Sequence, residues 1–229
     1  MENSAMNAVI LACSSMARQA AAAQQKMGTN YPMRCVDRRY HTEPKEMRLQ
    51  LIQALAEIAG EFDTVLVAMG FCGGSWESVR VPVRVVAPRV DDCITLLLNT
   101  DGAPHENLKE PGHIYIRDTD TGRYSLEGLR GSVCEKYGRE QGLALFDKWF
   151  GSYTHADIID TGTYDSRAED FLAQARRGAE ITRCELRHVP GSNIVLEKLV
   201  SGRWDDLFVV AEAGETLTRD RFFPRTGRE

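Results

Sequence analysis

Two segments of the sequence indicate the fold most clearly. They are Met69-Gly70-Phe71-Cys72-Gly73-Gly74-Ser75 and Pro88-Arg89-Val90-Asp91-Asp92-Cys93. Each follows a short apolar run with β-strand character, over residues 64–68 and 83–87. Each therefore places a cysteine just beyond the carboxyl end of a predicted buried strand. The chain begins in the same way, because an apolar run also leads directly into Cys13. Ligands of open α/β sheets bind beyond the carboxyl ends of the strands, so we expect the three cysteines to meet there.

Strand-like and helix-like segments alternate along most of the chain. This alternation predicts an α/β fold with a mainly parallel sheet, helices on both faces and the functional site at the strand carboxyl ends. We expect a single domain over residues 1–229, or two lobes in which residues 100–150 form a mobile flap and a helical insertion. The tail after Leu217 is basic and polar, so we expect it to be mobile. Exposed aromatic residues at Trp149 and Phe150 predict a surface for homo-oligomer formation.

The composition is that of an ordinary globular protein. The 229 residues are 43% hydrophobic and 27% charged, with a net charge of -5, which gives no electrostatic reason to bind nucleic acid or an anionic membrane. No apolar run reaches the ~20 residues of a membrane span, and the N-terminal sequence lacks the pattern of a signal peptide. We therefore expect a cytoplasmic protein whose six cysteines are thiols, metal ligands or catalysts rather than disulfides.

The predicted surroundings of Cys13, Cys72 and Cys93 favour a metal centre. Each lies at a strand end, next to small or turn residues, and this position favours the thiolate that binds metal. Three thiolates without an obvious fourth ligand suit a [4Fe-4S] cluster with one open iron, or a zinc ion with an open position. The alternative is that these cysteines are small hydrophobic residues of buried strand ends. Cys35 is interpreted as a neighbour of the site, and Cys134 and Cys184 as structural.

Several other side chains are predicted to act at the same edge of the sheet. Asp91 and Asp92 are candidates for a general acid or base, or for a helix cap. Arg89 is a candidate ligand for a carboxylate or phosphate, or a partner of those aspartates. No histidine has a partner at zinc-ligand spacing, although His41, His105 and His113 lie where they can reach a site. The residues predicted to bind substrate are Gly70, Gly73, Gly74, Asp160 and Thr161.

Several motifs resemble those of a family of domains of unknown function, the one numbered sixteen thirty-eight. The resemblance extends from about Val9 to Gly214 and includes Leu11-Ala12-Cys13, Gly70-Phe71-Cys72-Gly73, the segment 88–93 and Ile159-Asp160-Thr161-Gly162. It implies an association with corrinoid-dependent methyl transfer, and hence with corrinoid or methyltransferase proteins as partners. The three-cysteine arrangement is also similar in design to sites that hold a [4Fe-4S] cluster with one iron open to substrate.

Together these observations predict a metal-centre enzyme. We expect its metal to act as a Lewis acid on a small anionic substrate or on a methylated amine or sulfur compound. One alternative is a non-enzymatic accessory protein that carries a cluster, metal or corrinoid in methyl transfer. The others are a zinc-thiolate protein and a metal-free enzyme with Cys72 as its nucleophile.

Overall fold

The computed structural model describes residues 6–224, which form a mixed α/β fold with mostly parallel sheets. The predicted fold class is thereby confirmed. Residues Lys109–Ser192 form one compact unit, and the described residues on either side of them form another. The strands are β1 (Ala8–Cys13), β2 (Met33–Val36), β3 (Thr64–Ala68), β4 (Val79–Arg80), β5 (Arg84–Pro88), β6 (His113–Ile116), β7 (His155–Asp160), β8 (Glu185–Pro190), β9 (Phe208–Ala211) and β10 (Thr216–Leu217).

Helices connect most of these strands. They are α1 (Ala17–Met27), α2 (Pro44–Ile58), α3 (Cys93–Leu98), α4 (Leu126–Tyr137), α5 (Arg139–Phe150), α6 (Glu169–Thr182), α7 (Ile194–Val200) and α8 (Arg219–Phe222). No helix within residues 6–224 is long and apolar enough to cross a membrane.

The larger unit is built on a five-stranded sheet with the order β2-β1-β3-β5-β9. The first four strands are parallel, and β9 pairs with β5 in the antiparallel sense. Every residue of β1 and β3 is buried, which is typical of strands inside a parallel sheet. The chain places β2 on one side of β1 and β3 on the other. This reversal creates a crevice at the carboxyl ends of β1 and β3, the usual ligand position of such sheets.

Helix α2 shows how the sequence pattern translates into packing. Its buried face consists of Met47, Leu51, Leu55 and Ile58, all with 0% of their surface exposed. The pattern also predicts Ile52 on this face, but Ile52 is 44% exposed. That prediction was wrong because adjacent helical positions differ by about 100° and cannot both face the sheet.

The chain after Leu217 was predicted to be mobile, and for residues up to 222 this is wrong. Arg219–Phe222 form helix α8, and Phe222 is only 1% exposed. The Phe222 ring packs on that of Phe71, with centroids 5.0 Å apart. An aromatic anchor therefore fixes this otherwise polar segment. Residues 225–229, which belong to the same prediction, lie outside the described residues.

The unit formed by residues 109–192 has its own sheet, with the parallel order β6-β7-β8. Its apolar core includes Ile116, Ile158, Ala175 and Ala179, so α6 covers one face of this sheet. The sequence over residues 126–150 is typical of a long helix or a helix pair, and the structure has the pair, which divides at Gly138, whose φ of +80° suits glycine.

Candidate metal centre

Two of the predicted cysteines meet a histidine at the carboxyl edge of the five-stranded sheet. The ligand atoms of Cys13, His41 and Cys93 all lie within 4.8 Å of one another. The Sγ atom of Cys13 is 3.1 Å from Nε2 of His41. Both thiols are buried, at 0% and 3% exposure, whereas the imidazole is exposed. The three donors therefore form a candidate metal centre that is closed on the thiol side and open beside His41.

The sequence around β1 and β2 explains why His41 reaches Cys13. Strand β2 lies beside β1, so the chain leaves both strands at the same edge. Beyond β2, a 3-10 turn spans Arg38–Thr42 and carries His41. The hydroxyl group of Ser14 accepts a hydrogen bond of 2.9 Å from the Arg38 N–H and ties this turn to the end of β1. The hydroxyl of Ser15 lies 3.1 Å from the Cys13 sulfur.

Cys93 is the first residue of α3, and Asp92 is the N-cap of this helix. The Oδ1 atom of Asp92 accepts hydrogen bonds of 3.0 Å from Ile94 N and 2.9 Å from Thr95 N. Asp91 and Asp92 were each predicted to be either a general acid or base or a helix cap, and Asp92 is the cap. It fixes the backbone next to Cys93. Proton transfer by Asp91 or Asp92 stays a prediction.

The electrostatic surroundings of Cys13 keep its thiol protonated near neutral pH in the absence of metal. A hydrogen bond with Cys93 and then burial raise the pKa of Cys13 to about 12, against a smaller lowering effect of His41. A metal ion must therefore displace this proton when it binds, which is the usual coupling between thiolate ligation and pH. Burial and the charge of Cys13 also raise the pKa of Cys35. Cys35 is thus electrostatically coupled to Cys13, but its side chain is exposed and outside the candidate centre.

The size and chemistry of this donor set fit a single metal ion. Zinc binds thiolate sulfur at about 2.3 Å and imidazole nitrogen at about 2.0–2.1 Å, so tetrahedral ligands lie about 3.5–3.8 Å apart. The three donor atoms here are within 4.8 Å of each other, and small side-chain movements suffice to reach that geometry. Two thiolates and one imidazole are also a known ligand set of catalytic zinc, in which a fourth position remains open.

The third predicted ligand, Cys72, lies on a turn that is hydrogen-bonded to the turn before Cys93, but its sulfur is outside this cluster of donor atoms. It is buried, at 9% exposure, and has a φ of +49°. The N–H of Cys72 donates to the carbonyl of Asp91 at 2.6 Å, and the N–H of Phe71 donates to Val90 at 2.9 Å. The turn that carries Cys72 is therefore hydrogen-bonded directly to the turn that precedes Cys93. A metal-ligand role of Cys72 stays a prediction.

Of the predicted substrate-binding glycines, Gly70 lies in this backbone contact, and Gly73 and Gly74 lie against α2. A Cβ atom at Gly70 would lie 2.6 Å from the Cα of Asp92, so only glycine lets the two turns approach. The carbonyl of Gly74 accepts a hydrogen bond of 2.9 Å from Arg48 of α2. Gly73 has a φ of +65° and lies against Pro44. These contacts explain the glycines structurally, and their role in substrate binding stays a prediction.

Arg89 faces the C-terminal part of the chain. Its Nε donates to the Phe208 carbonyl at 3.2 Å, and its Nη1 donates to the carbonyls of Arg221 and Phe222. The side chain lines a cleft that also includes Phe222 and Phe223. The predicted alternative, a pairing with Asp91 or Asp92, is not among its hydrogen bonds within residues 6–224.

Asp160 and Thr161 belong to the other unit, at the carboxyl end of β7, which is part of a separate sheet. The prediction that they share a sheet edge with the cysteines is therefore wrong. Burial favours a higher pKa for Asp160, but hydrogen bonds from Ser166, Gly162 and Arg167 outweigh it and lower the pKa. The Thr161 hydroxyl lies 2.7 Å from that of Thr163. The loop has the geometry of an Asx turn, and a part in substrate binding stays a prediction.

A polar cluster on the sheet of residues 109–192 was not predicted from the sequence. Asp157 is 1% exposed and accepts hydrogen bonds from Arg187 Nε at 2.6 Å and from His113 Nδ1 at 2.8 Å. The sequence does show that His113, Asp157 and Arg187 each lie in a short strand-like run. Side chains two positions apart in a strand point to the same face, so such residues can meet across neighbouring strands. The charge of Asp157 is thus neutralised inside its own unit.

His41 is the member of the metal centre that sequence spacing did not assign. Local zinc motifs place ligands a few residues apart, whereas His41 and Cys13 are brought together only by the pairing of β1 with β2. The sequence does place His41 just after a predicted strand, as it does the cysteines.

Cys134 and Cys184, predicted to be structural, are half-buried in the other unit.

The sequence model of one protein family matches residues 35–200, well over half of the 229 residues. Its description is "Protein of unknown function (DUF1638)". The chain belongs to this family. The match includes His41, Cys72 and Cys93, whereas Cys13 precedes it, so the match is shorter than the resemblance inferred from the motifs. No curated protein and no solved structure gives a significant match.

Proposed function

We propose that this protein is a metal-dependent enzyme whose single metal ion is held by Cys13, His41 and Cys93. The observation that carries the proposal is the meeting of two buried thiols and one imidazole within 4.8 Å at the ligand-binding edge of an α/β sheet. Zinc is the metal that this ligand set suits best. When bound, such an ion supplies a Lewis acid that polarises a substrate atom.

The residues around the centre support the enzymatic function. Cys13 and Cys93 are buried at the end of β1 and the start of α3, so the ion would be held by the core on that side. His41 is exposed, so a small molecule would approach the open position from the solvent side. Asp91 and Asp92 are the candidates for proton transfer, and Asp92 also caps α3. The expected substrates, small anions or methylated amine or sulfur compounds, remain predictions, as do corrinoid or methyltransferase partners.

A second candidate is a [4Fe-4S] enzyme, or an accessory that carries such a cluster, with Cys13, Cys72 and Cys93 as ligands. The observation that favours it is the hydrogen bond between Cys72 and Asp91, which keeps the third thiol next to the strand ends. Each cysteine of a cluster binds a different iron, so its thiols are spaced more widely than those around one ion. The wider placement of Cys72 is compatible with that spacing.

Metal analysis of anaerobically purified protein and its variants separates the candidates. A single-ion centre predicts one zinc per chain, which is lost in Cys13→Ser, His41→Ala and Cys93→Ser but kept in Cys72→Ser. A cluster predicts iron and inorganic sulfide, lost in Cys72→Ser and kept in His41→Ala. The matched control is Cys35→Ser, a nearby exposed thiol outside both ligand sets. Protein that binds neither metal, yet folds normally, would contradict both candidates.

A further inference from the structure

A separate cleft of about 410 Å³ lies beside the C-terminal helix α8. Part of its wall is apolar and comes from Pro104, Phe222, Phe223 and Pro224. The rings of Phe222 and Phe223 are 6.1 Å apart and inclined by 48°. Polar and charged side chains complete the lining: Arg89, His105, Glu106 and Asp206. An apolar cleft with a few polar groups is the common form of a small-molecule site.

Arg89 is held in the cleft by the main chain and not by a carboxylate. Its Nε and Nη1 atoms donate to the carbonyls of Phe208, Arg221 and Phe222. Within the described part of the chain, its Nη2 atom donates to no group and no carboxylate forms an ion pair with it. Burial lowers the pKa of the Arg89 guanidinium. The charge of Asp206 raises this pKa, and the charge of Arg221 lowers it further. Arg89 is thus a fixed cation with free donor capacity.

Asp206 supplies the opposite charge at the rim. It is exposed, and its carboxylate forms no hydrogen bond or ion pair within residues 6–224. The other charged side chains of the cleft are already neutralised. Glu106 pairs with Arg219, and His105 Nε2 lies 2.9 Å from Asp101. Within residues 6–224 the cleft therefore presents a cation and an anion that form no salt bridge, and that influence each other only through their charges, beside an aromatic wall.

We propose that this cleft binds a small zwitterion of the amino-acid type. Its carboxylate accepts hydrogen bonds from Arg89, its ammonium group faces Asp206, and its apolar side group packs against Phe223 and Pro104. An arginine fixed before binding loses little conformational entropy when it pairs with a carboxylate, which favours this ligand. A ligand with only a carboxylate would leave the Asp206 charge without a partner in the ligand. A ligand with only an ammonium group would leave the Arg89 charge without one.

The proposal does not depend on the metal centre. None of the cleft residues is a proposed metal ligand. Two contacts link the cleft to the cysteine-bearing turns: the Phe71 ring packs on Phe222 and Phe223, and the Glu106 carbonyl accepts a hydrogen bond of 2.8 Å from Asp91 N. Binding to the cleft is therefore measured on the full chain with and without a chelator. Leucine binding by purified protein that holds no metal before chelation refutes the metal centre alone, and bound metal without leucine binding refutes the cleft alone.

The test is calorimetric titration with three matched probes: leucine, isocaproate, which lacks the ammonium group, and isoamylamine, which lacks the carboxylate. We expect leucine to bind about tenfold more tightly than isoamylamine and about two- to fivefold more tightly than isocaproate. Arg89→Gln weakens leucine and isocaproate by about tenfold. Asp206→Asn weakens leucine and isoamylamine by about two- to fivefold, because that charge is exposed. The matched control is Asp63→Asn, an exposed aspartate outside the cleft.

Asp206→Asn keeps the proposal testable if Arg89→Gln disturbs the C-terminal segment, because the Asp206 carboxylate makes no hydrogen bond or salt bridge within residues 6–224. Equal binding of leucine and isocaproate would overturn the proposal. So would unchanged leucine affinity in Asp206→Asn, or no binding of any probe at millimolar concentration.

Discussion

Gly70→Ala is the substitution that most directly perturbs the contact between the two cysteine-bearing turns. The added Cβ would lie 2.6 Å from Asp92 Cα and 2.8 Å from Asp92 N. These are backbone atoms, so no side-chain rotation relieves the clash. To restore an ordinary contact of 3.4 Å, the turns must separate by about 0.8 Å.

That separation has two consequences of different size. Overpacking of this kind costs about 1–3 kcal/mol in the free energy of unfolding. It also lengthens the hydrogen bonds of Phe71 to Val90 and of Cys72 to Asp91, and it moves the cap that positions Cys93. Groups that orient a metal ligand typically contribute about 10–100-fold in affinity, so we expect a weakening of that order for zinc.

The assay is urea unfolding followed by competition for zinc with a chromophoric chelator. Gly60→Ala is the matched control, because nothing lies within 4 Å of a Cβ atom built at Gly60. We expect Gly60→Ala to resemble the wild-type chain in both measurements. Unchanged stability and zinc affinity in Gly70→Ala would refute the reasoning that the contact between the turns supports the centre.

Three further predictions test the site and the core. His41→Ala leaves the fold intact, because the side chain is exposed, and weakens zinc binding by more than about tenfold in the same competition assay. In metal-free protein, alkylation of Cys13 is slow at pH 8 and accelerates as pH rises toward its pKa of about 12; fast labelling at pH 8 in mass spectrometry would contradict this. Leu51→Ala costs about 2–5 kcal/mol in urea unfolding, whereas exposed Ile52→Ala changes stability by about 0.5 kcal/mol or less.

Much of the fold was predictable because its strongest signals are local. Strands β6 and β7 begin and end where the sequence pattern places them, at 113–116 and 155–160. The buried strands β1 and β3 appear as continuous apolar runs, and their parallel arrangement follows from the alternation with helices. Gly28 ends α1 with a φ of +67°, a terminus that the sequence also marks.

The features that could not be predicted depend on contacts between distant residues. Helix α8 follows a polar segment, and only the packing of Phe222 on Phe71 explains its position. His41 joins Cys13 through strand pairing, so no local spacing marks it as a ligand. Asp92 carries the same side chain whether it caps a helix or transfers a proton, and only the bonds to Ile94 N and Thr95 N identify the cap.

X-ray absorption spectroscopy of the zinc-loaded protein tests the central claim most directly. We expect two sulfur ligands at about 2.3 Å and at least one imidazole nitrogen at about 2.0–2.1 Å. In His41→Ala loaded with excess zinc, which offsets its weaker binding, the imidazole contribution should be absent and both sulfurs should remain. A shell without imidazole, a third sulfur that disappears in Cys72→Ser, or a chain that retains no zinc would contradict a single-ion centre on Cys13, His41 and Cys93.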